Sequence, residues 1–314
     1  TFYGCATDSR VREIAEEYYN LGNAYYELCE YTPSSEYYTR ARELDPEITA
    51  AGYNLARLEL ERGRYEAALE LLEELRREEP GNLLLLETYA YAQNLPGRRS
   101  RAVELYRQLL ERDPGRVSVL YNLSILLDDP GEGVELLREA AELAPENGEV
   151  LRRLVTRLSE MGQPEEAVVY LERLERVVPR DREALESVAV RYEELEYPQE
   201  AVEAYDLLLE LAPSEERYHF AQARLLLTTI GESRRGLPAL KAALEAGFTD
   251  EEAILHLLAS PELVAPVEVE ELLGNYELLP EEIPEPGELQ EAAVPAELRG
   301  AAGEDGYYPG PQKE

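Results

Sequence analysis

An all-α fold of stacked helix pairs is predicted by three features of the 314-residue sequence. Prolines recur at a nearly fixed interval, apolar residues stand at helical spacing between them, and turn residues fall midway. Pro46, Pro80, Pro114, Pro145, Pro179 and Pro213 are separated by 34, 34, 31, 34 and 34 residues. Twelve positions before each proline stands a small residue, in order Ser34, Ala68, Ala102, Gly133, Ala167 and Ala201. Eight positions before each stands a large one: Tyr38, Leu72, Tyr106, Leu137, Leu171 and Tyr205. An interval of this size marks a repeat architecture, in which each unit buries its apolar face only against its neighbours.

With the segment Tyr18-Tyr19-Asn20-Leu21-Gly22-Asn23-Ala24-Tyr25, this pattern resembles the tetratricopeptide repeat family over about three quarters of the chain, residues 15–249. That resemblance implies two antiparallel helices per repeat, a small residue where they cross, and a right-handed superhelical solenoid. Residues 1–14 read as an N-terminal tether. The repeats follow at 15–48, 49–82, 83–116, 117–147, 148–181 and 182–215, with a degenerate seventh at 216–249 that has Gly247 at the proline position. Internal turns are expected at Gly63, Pro96-Gly97, Pro130-Gly131, Gly162-Gln163-Pro164 and Tyr197-Pro198. Thr32-Pro33 reads as a helix start with Thr32 as N-cap, because proline in the first turn loses no needed N–H. The fourth repeat is three residues short, and Asp128-Asp129-Pro130-Gly131 suggests a deletion in its turn. Residues 250–279 supply two capping helices, one opened by Thr249 and the acids that follow, the other near 267–273 after Pro266. From 280 to 314 nine acids, two bases and many prolines predict an acidic, disordered tail.

Composition limits function. The 66 acidic and 31 basic residues give a formal net charge of −35, which argues against a nucleic-acid partner, since phosphate binding draws on clustered cations. Two cysteines, Cys5 and Cys29, and two separated histidines, His219 and His256, cannot build a thiolate zinc site or a disulfide framework. No window reaches the roughly 20 apolar residues a membrane span requires. No phosphate loop, serine elbow or helix with paired metal-ligand histidines is present. The sequence reads as a non-enzyme that uses no cofactor and no metal.

The family resemblance also places a binding surface, because the first helix of each pair lines the concave face. Its contact positions fall on Tyr19, Asn23 and Tyr26 in the first repeat, Tyr53, Asn54 and Arg57 in the second, and Tyr91 in the third. The fourth contributes Tyr121 and Asn122, the fifth Arg152 and Arg153, and the seventh Phe220 and Arg224. Tyrosine and arginine are common at binding hot spots. Tyr18, Tyr25, Tyr38, Tyr106 and Tyr205 instead take core positions. Relatives that grip acidic chaperone tails use two lysines, two asparagines and an arginine; here Asn23 and Asn54 match, but Tyr19, Leu84 and Thr88 replace the cations, so that carboxylate clamp is incomplete.

These features predict a scaffold that binds one or more proteins or peptides in the concave groove. A small-molecule or solute-transport accessory protein, using a pocket at Tyr53, Tyr91 and Tyr121, is the alternative. Gly4-Cys5-Ala6 resembles the lipid-attachment site of bacterial lipoproteins, although Phe2 and Tyr3 depart from the usual pattern. Lipid on Cys5 would be the protein's only contact with a membrane and would place it in the bacterial envelope, lipid-anchored on the periplasmic side; without it the expectation is a cytoplasmic protein.

Overall fold

The computed structural model describes residues 2–93 and 98–280. Among the described residues there are sixteen helices and no strand. Two compact units divide between Leu143 and Ala144. The first holds α1 (Phe2–Glu27), α2 (Tyr31–Leu44), α3 (Thr49–Glu61), α4 (Tyr65–Glu78), α5 (Leu83–Ala92), α6 (Arg99–Arg112), α7 (Val117–Leu126) and α8 (Pro130–Leu143). The second holds α9 (Gly148–Glu160), α10 (Pro164–Val177), α11 (Arg182–Glu194), α12 (Pro198–Leu211), α13 (Glu216–Leu227), α14 (Ser233–Ala246), α15 (Glu251–Leu258) and α16 (Pro266–Asn275). Within each unit the helices up to α14 pair in sequence order, each pair stacks on the next through α2 and α3, α4 and α5, α6 and α7, α10 and α11, and α12 and α13, and α16 packs on α14.

The periodic prolines stand two residues beyond the ends of α2, α4, α6, α8, α10 and α12. A proline there cannot continue the helix and biases the residue before it to extended backbone, so it fixes the boundary. Asn82, Asn147, Asp181 and Asp250 cap the helices that follow, each accepting hydrogen bonds from backbone N–H groups of the first turn. Pro130, Pro164, Pro198 and Pro266 open their helices, where no N–H is needed. The crossing residues Ser34, Ala68, Ala102, Gly133, Ala167 and Ala201 are all buried, and a Cβ on Gly133 would stand 3.0 Å from the Ser124 carbonyl oxygen.

Several sequence expectations give way. Residues 2–14 are not a tether but the first half of α1, since no proline interrupts the chain before Pro33. Thr32 is the second residue of α2 rather than its N-cap. The turn at Cys29 is left-handed, and the Glu30 N–H bonds the Tyr25 carbonyl at 2.9 Å, so the chain re-enters helix at Tyr31. The same turn recurs at Gly63, Gly162 and Glu196. The short fourth repeat has lost its residues from the helix, not the turn: α7 has 10 residues where α3 has 13, and Leu127–Asp129 is as long as the turn between α3 and α4. Three residues are nearly one helical turn, so the deletion leaves the register of the faces almost unchanged. Pro96-Gly97 and the tail from 281 lie outside the described residues.

Tyr38, Tyr106 and Tyr205 are buried in the core, but Tyr18 and Tyr25 are only half-buried. Their positions in later repeats are covered by the preceding pair, and among the described residues no pair precedes α1.

Candidate functional site

The inner helices α1, α3 and α5 of the first unit bring most of the expected groove residues together. Asn23 accepts from the Tyr38 hydroxyl at 2.8 Å and from the Asn54 side-chain amide at 3.0 Å. Arg57 lies over two rings, 5.4 Å from the Tyr26 centroid and 5.9 Å from that of Tyr53, and donates to the Tyr26 hydroxyl at 3.3 Å. Tyr26 in turn donates to Glu61. Burial, followed by that bond to Glu61, pushes the Tyr26 pKa up, so it stays a neutral phenol. Thr88 donates to the Tyr53 hydroxyl at 3.3 Å. Tyr19, Asn23, Tyr26, Tyr53, Asn54 and Tyr91 are half-buried, with part of each surface open.

The chemistry of this face differs from the partly cationic groove the sequence suggests. Arg57 is buried between its two tyrosines, where it links α1 to α3 rather than presenting a free positive charge. Tyr121 and Asn122 are buried in α7 and do not line an open surface. Seven of the ten residues of this short helix are buried, as Glu87 and Thr88 are at the same repeat positions in the equally short α5. Glu87 of α5 is a further site residue that the sequence reading passes over. It is 1% exposed, accepts from Ser118, and pairs with Arg116 at 3.2 Å. Burial raises its pKa, while Ser118 and Arg116 pull it back.

In the second unit Arg152 and Arg153 are half-buried on α9, and Arg152 pairs with Glu149 at 3.0 Å. Phe220 is buried and stacks on Phe248, with ring centroids 4.0 Å apart, so it is core. Arg224 pairs with Glu193, which also accepts from the Tyr205 hydroxyl at 2.8 Å. His219 contacts the Pro213 carbonyl at 2.9 Å through Nε2. A cavity of 530 Å³ opens in this unit between α14 and α16, lined by Leu237, Pro238, Lys241 and Leu272 among others. None of the tyrosines expected to hold a solute lines it.

Comparison with known proteins agrees with this architecture. One tetratricopeptide repeat model matches residues 15–48, and a second matches 35–88 and 125–189. No curated protein matches. Among solved structures, the C-terminal part of a TPR repeat-containing protein from Cytophaga hutchinsonii aligns over 75% of this chain and 98% of its own, at 14% identity and a TM-score of 0.56. PilW, described as a widely conserved type IV pilus biogenesis factor, aligns over 65% of this chain and 96% of its own, at 16% identity and 0.54. PilF of Pseudomonas aeruginosa aligns over 68% and 98%, at 18% identity and 0.53. At such identities these likenesses speak for the fold alone.

Proposed function

Since the chain is a tetratricopeptide repeat protein, a fold that hosts protein and peptide interaction, we propose that its groove on α1, α3 and α5 binds an extended peptide segment of a partner protein. One observation carries this reading: Tyr19, Tyr26, Tyr53 and Tyr91 stand partly open on adjacent inner helices. Tyr26 and Tyr53 are further held in place by Arg57 between them. Aromatic rings fixed before binding give contact area at little entropic cost. The acidic Glu61 beside Tyr26 and the engagement of Asn23 and Asn54 with each other favour a neutral or basic, aromatic-binding segment over an acidic chain terminus. A solute pocket at Tyr53, Tyr91 and Tyr121 has less support, because Tyr121 is buried.

Affinity purification from the native host, with the wild type and with Tyr19→Ala and Tyr91→Ala combined, tests the reading. Loss of the co-purifying partner at unchanged helicity supports the groove; full retention by the variant refutes it. The proposal extends to the location. Gly4-Cys5-Ala6 supports lipid on Cys5, and with it a scaffold working in a bacterial envelope assembly on the periplasmic side. Mass spectrometry of the native protein decides this point: an unmodified Cys5 thiol would reject the anchor and favour the cytoplasm.

A further inference from the structure

The first helix carries a second surface, on a different face from the groove. Val11, Ile14, Tyr18, Leu21 and Tyr25 of α1, and Leu28 in the turn just past its end, follow one another at steps of three, four, three, four and three residues. That is the spacing of a coiled-coil seam. Ile14 is 41% exposed, Leu21 42% and Leu28 67%. In the sixth repeat the residues equivalent to Tyr18, Leu21 and Tyr25 are Leu185, Val188 and Tyr192, which are 0, 0 and 1% exposed. There α11 packs between α10 and α12, and the Tyr192 hydroxyl donates to Glu175 of α10. The seam on α1 is therefore one half of a helix-packing interface without its other half among the described residues.

The seam is also organised in advance. Tyr37 of α2 stacks on Tyr18 and on Tyr25, with centroids 5.9 and 5.3 Å apart, so the rings stand in a ladder before anything docks. One flank of the seam, Ala15 and Gly22, is buried; the other, Arg10, Glu13, Glu17, Ala24 and Glu27, is exposed. A second helix can approach only across the exposed flank.

We propose that this seam is the dimer interface of the protein, with α1 of two copies packed antiparallel. In one register Tyr18 faces Leu21, Ile14 faces Tyr25 and Val11 faces Leu28, which gives every seam residue an apolar opposite. The same register sets Arg10 at one end beside Glu27 of the second copy, and the twofold axis repeats that pair at the other end. A parallel pairing would instead set the exposed flank of each copy against the Ala15 and Gly22 flank of the other, which α2 already covers through Ser34 and Tyr38.

Sedimentation equilibrium of the full chain over a range of concentrations tests the proposal. The wild type dimerises. Leu28→Glu, at the most exposed seam position, weakens association about a hundredfold at unchanged helicity, because both copies lose the contact. Arg10→Glu weakens it, and adding Glu27→Arg restores it. With Cys5→Ser in place, oxidation yields no disulfide-linked dimer, because the antiparallel register holds the two Cys29 thiols about 28 Å apart. A wild type that stays monomeric throughout, a Leu28→Glu variant that dimerises like it, a charge swap that fails to restore association, or rapid cross-linking through Cys29 would each overturn the proposal.

Discussion

Replacing Glu87 by alanine is expected to cost the first unit about 3 kcal/mol. The carboxylate is 1% exposed and is held by the Ser118 hydroxyl and by the Arg116 Nε at 3.2 Å. Removing one member of a buried ion pair costs roughly 3–5 kcal/mol, because the other is left charged and unmatched. Arg116 is already in that position in part, since one of its terminal guanidinium nitrogens is buried with no hydrogen-bond partner among the described residues. Its side chain is nevertheless 24% exposed and keeps Asp113 at 3.8 Å, so water and a second carboxylate soften the loss toward the lower end of the range. Glu87→Gln keeps the size and one acceptor and, because burial disfavours the charged form, should cost far less than Glu87→Ala. Replacing both partners, Glu87→Leu with Arg116→Leu, should recover most of the stability, because no buried charge remains. Repeat arrays depart from two-state unfolding. The assay is therefore urea denaturation by circular dichroism together with hydrogen exchange of the α5 amides. A cost of Glu87→Ala below about 0.5 kcal/mol, the level of an ordinary surface change, would refute the reasoning.

The remaining predictions concern pH, the turns and the helix crossing. Burial raises the pKa values of Glu87 and Glu175 in the folded state, so both favour the protonated folded chain. Their stabilising contribution is complete below the unfolded value and is lost as pH rises through the folded one. The melting temperature should therefore rise as pH falls toward the ordinary carboxylate range, with a smaller slope in Glu87→Gln; a flat profile would contradict this. Below the ordinary carboxylate range the trend should reverse as Glu79 protonates, because bonds from Asn82 and Thr49 hold its pKa down. Glu196 sits at φ 63° in the turn position that Gly63 and Gly162 occupy, so Glu196→Gly should stabilise by about 0.5–1 kcal/mol, and a loss in denaturation would count against that turn. Ala167 is fully buried where α9 and α10 cross, and Ala167→Leu should destabilise by roughly 1–3 kcal/mol; a neutral result would contradict the crossing.

The fold was legible because each of its determinants is local. A proline two residues past a helix, a small residue at a crossing and an asparagine or aspartate at an N-cap all act within a few positions of the place they mark. The groove was only partly legible, because a helical position gives the direction of a side chain and not what a neighbouring segment lays over it. Phe220 was expected to line the groove, but Phe248, from beyond the end of α14, stacks on it and it is buried. Tyr18 and Tyr25 erred in the opposite sense: their core positions lack a covering helix.

Charged residues were misread for a related reason, and there the sequence did hold a signal. Contacts between successive inner helices recur at two separations, apart from those of Tyr218 with Glu186 and Arg182 at 32 and 36. Asn23 with Asn54, Tyr26 with Arg57, Glu87 with Ser118, and Glu193 with Arg224 are each 31 residues apart. Tyr26 with Glu61 and Tyr53 with Thr88 are 35 apart. These are the repeat period of 34 less three and plus one, and they differ by four, one step along a helix face. Two inner helices in register therefore meet at a residue and at its neighbour one turn later, whatever the polarity of the pair. Applied to the sequence, that offset matches Glu87 to the hydroxyl of Ser118 and Arg57 to the ring of Tyr26. A charged residue with a complementary partner at 31 or 35 is one the array can bury, which is why Arg57 ends as a link between repeats rather than a free cation in the groove.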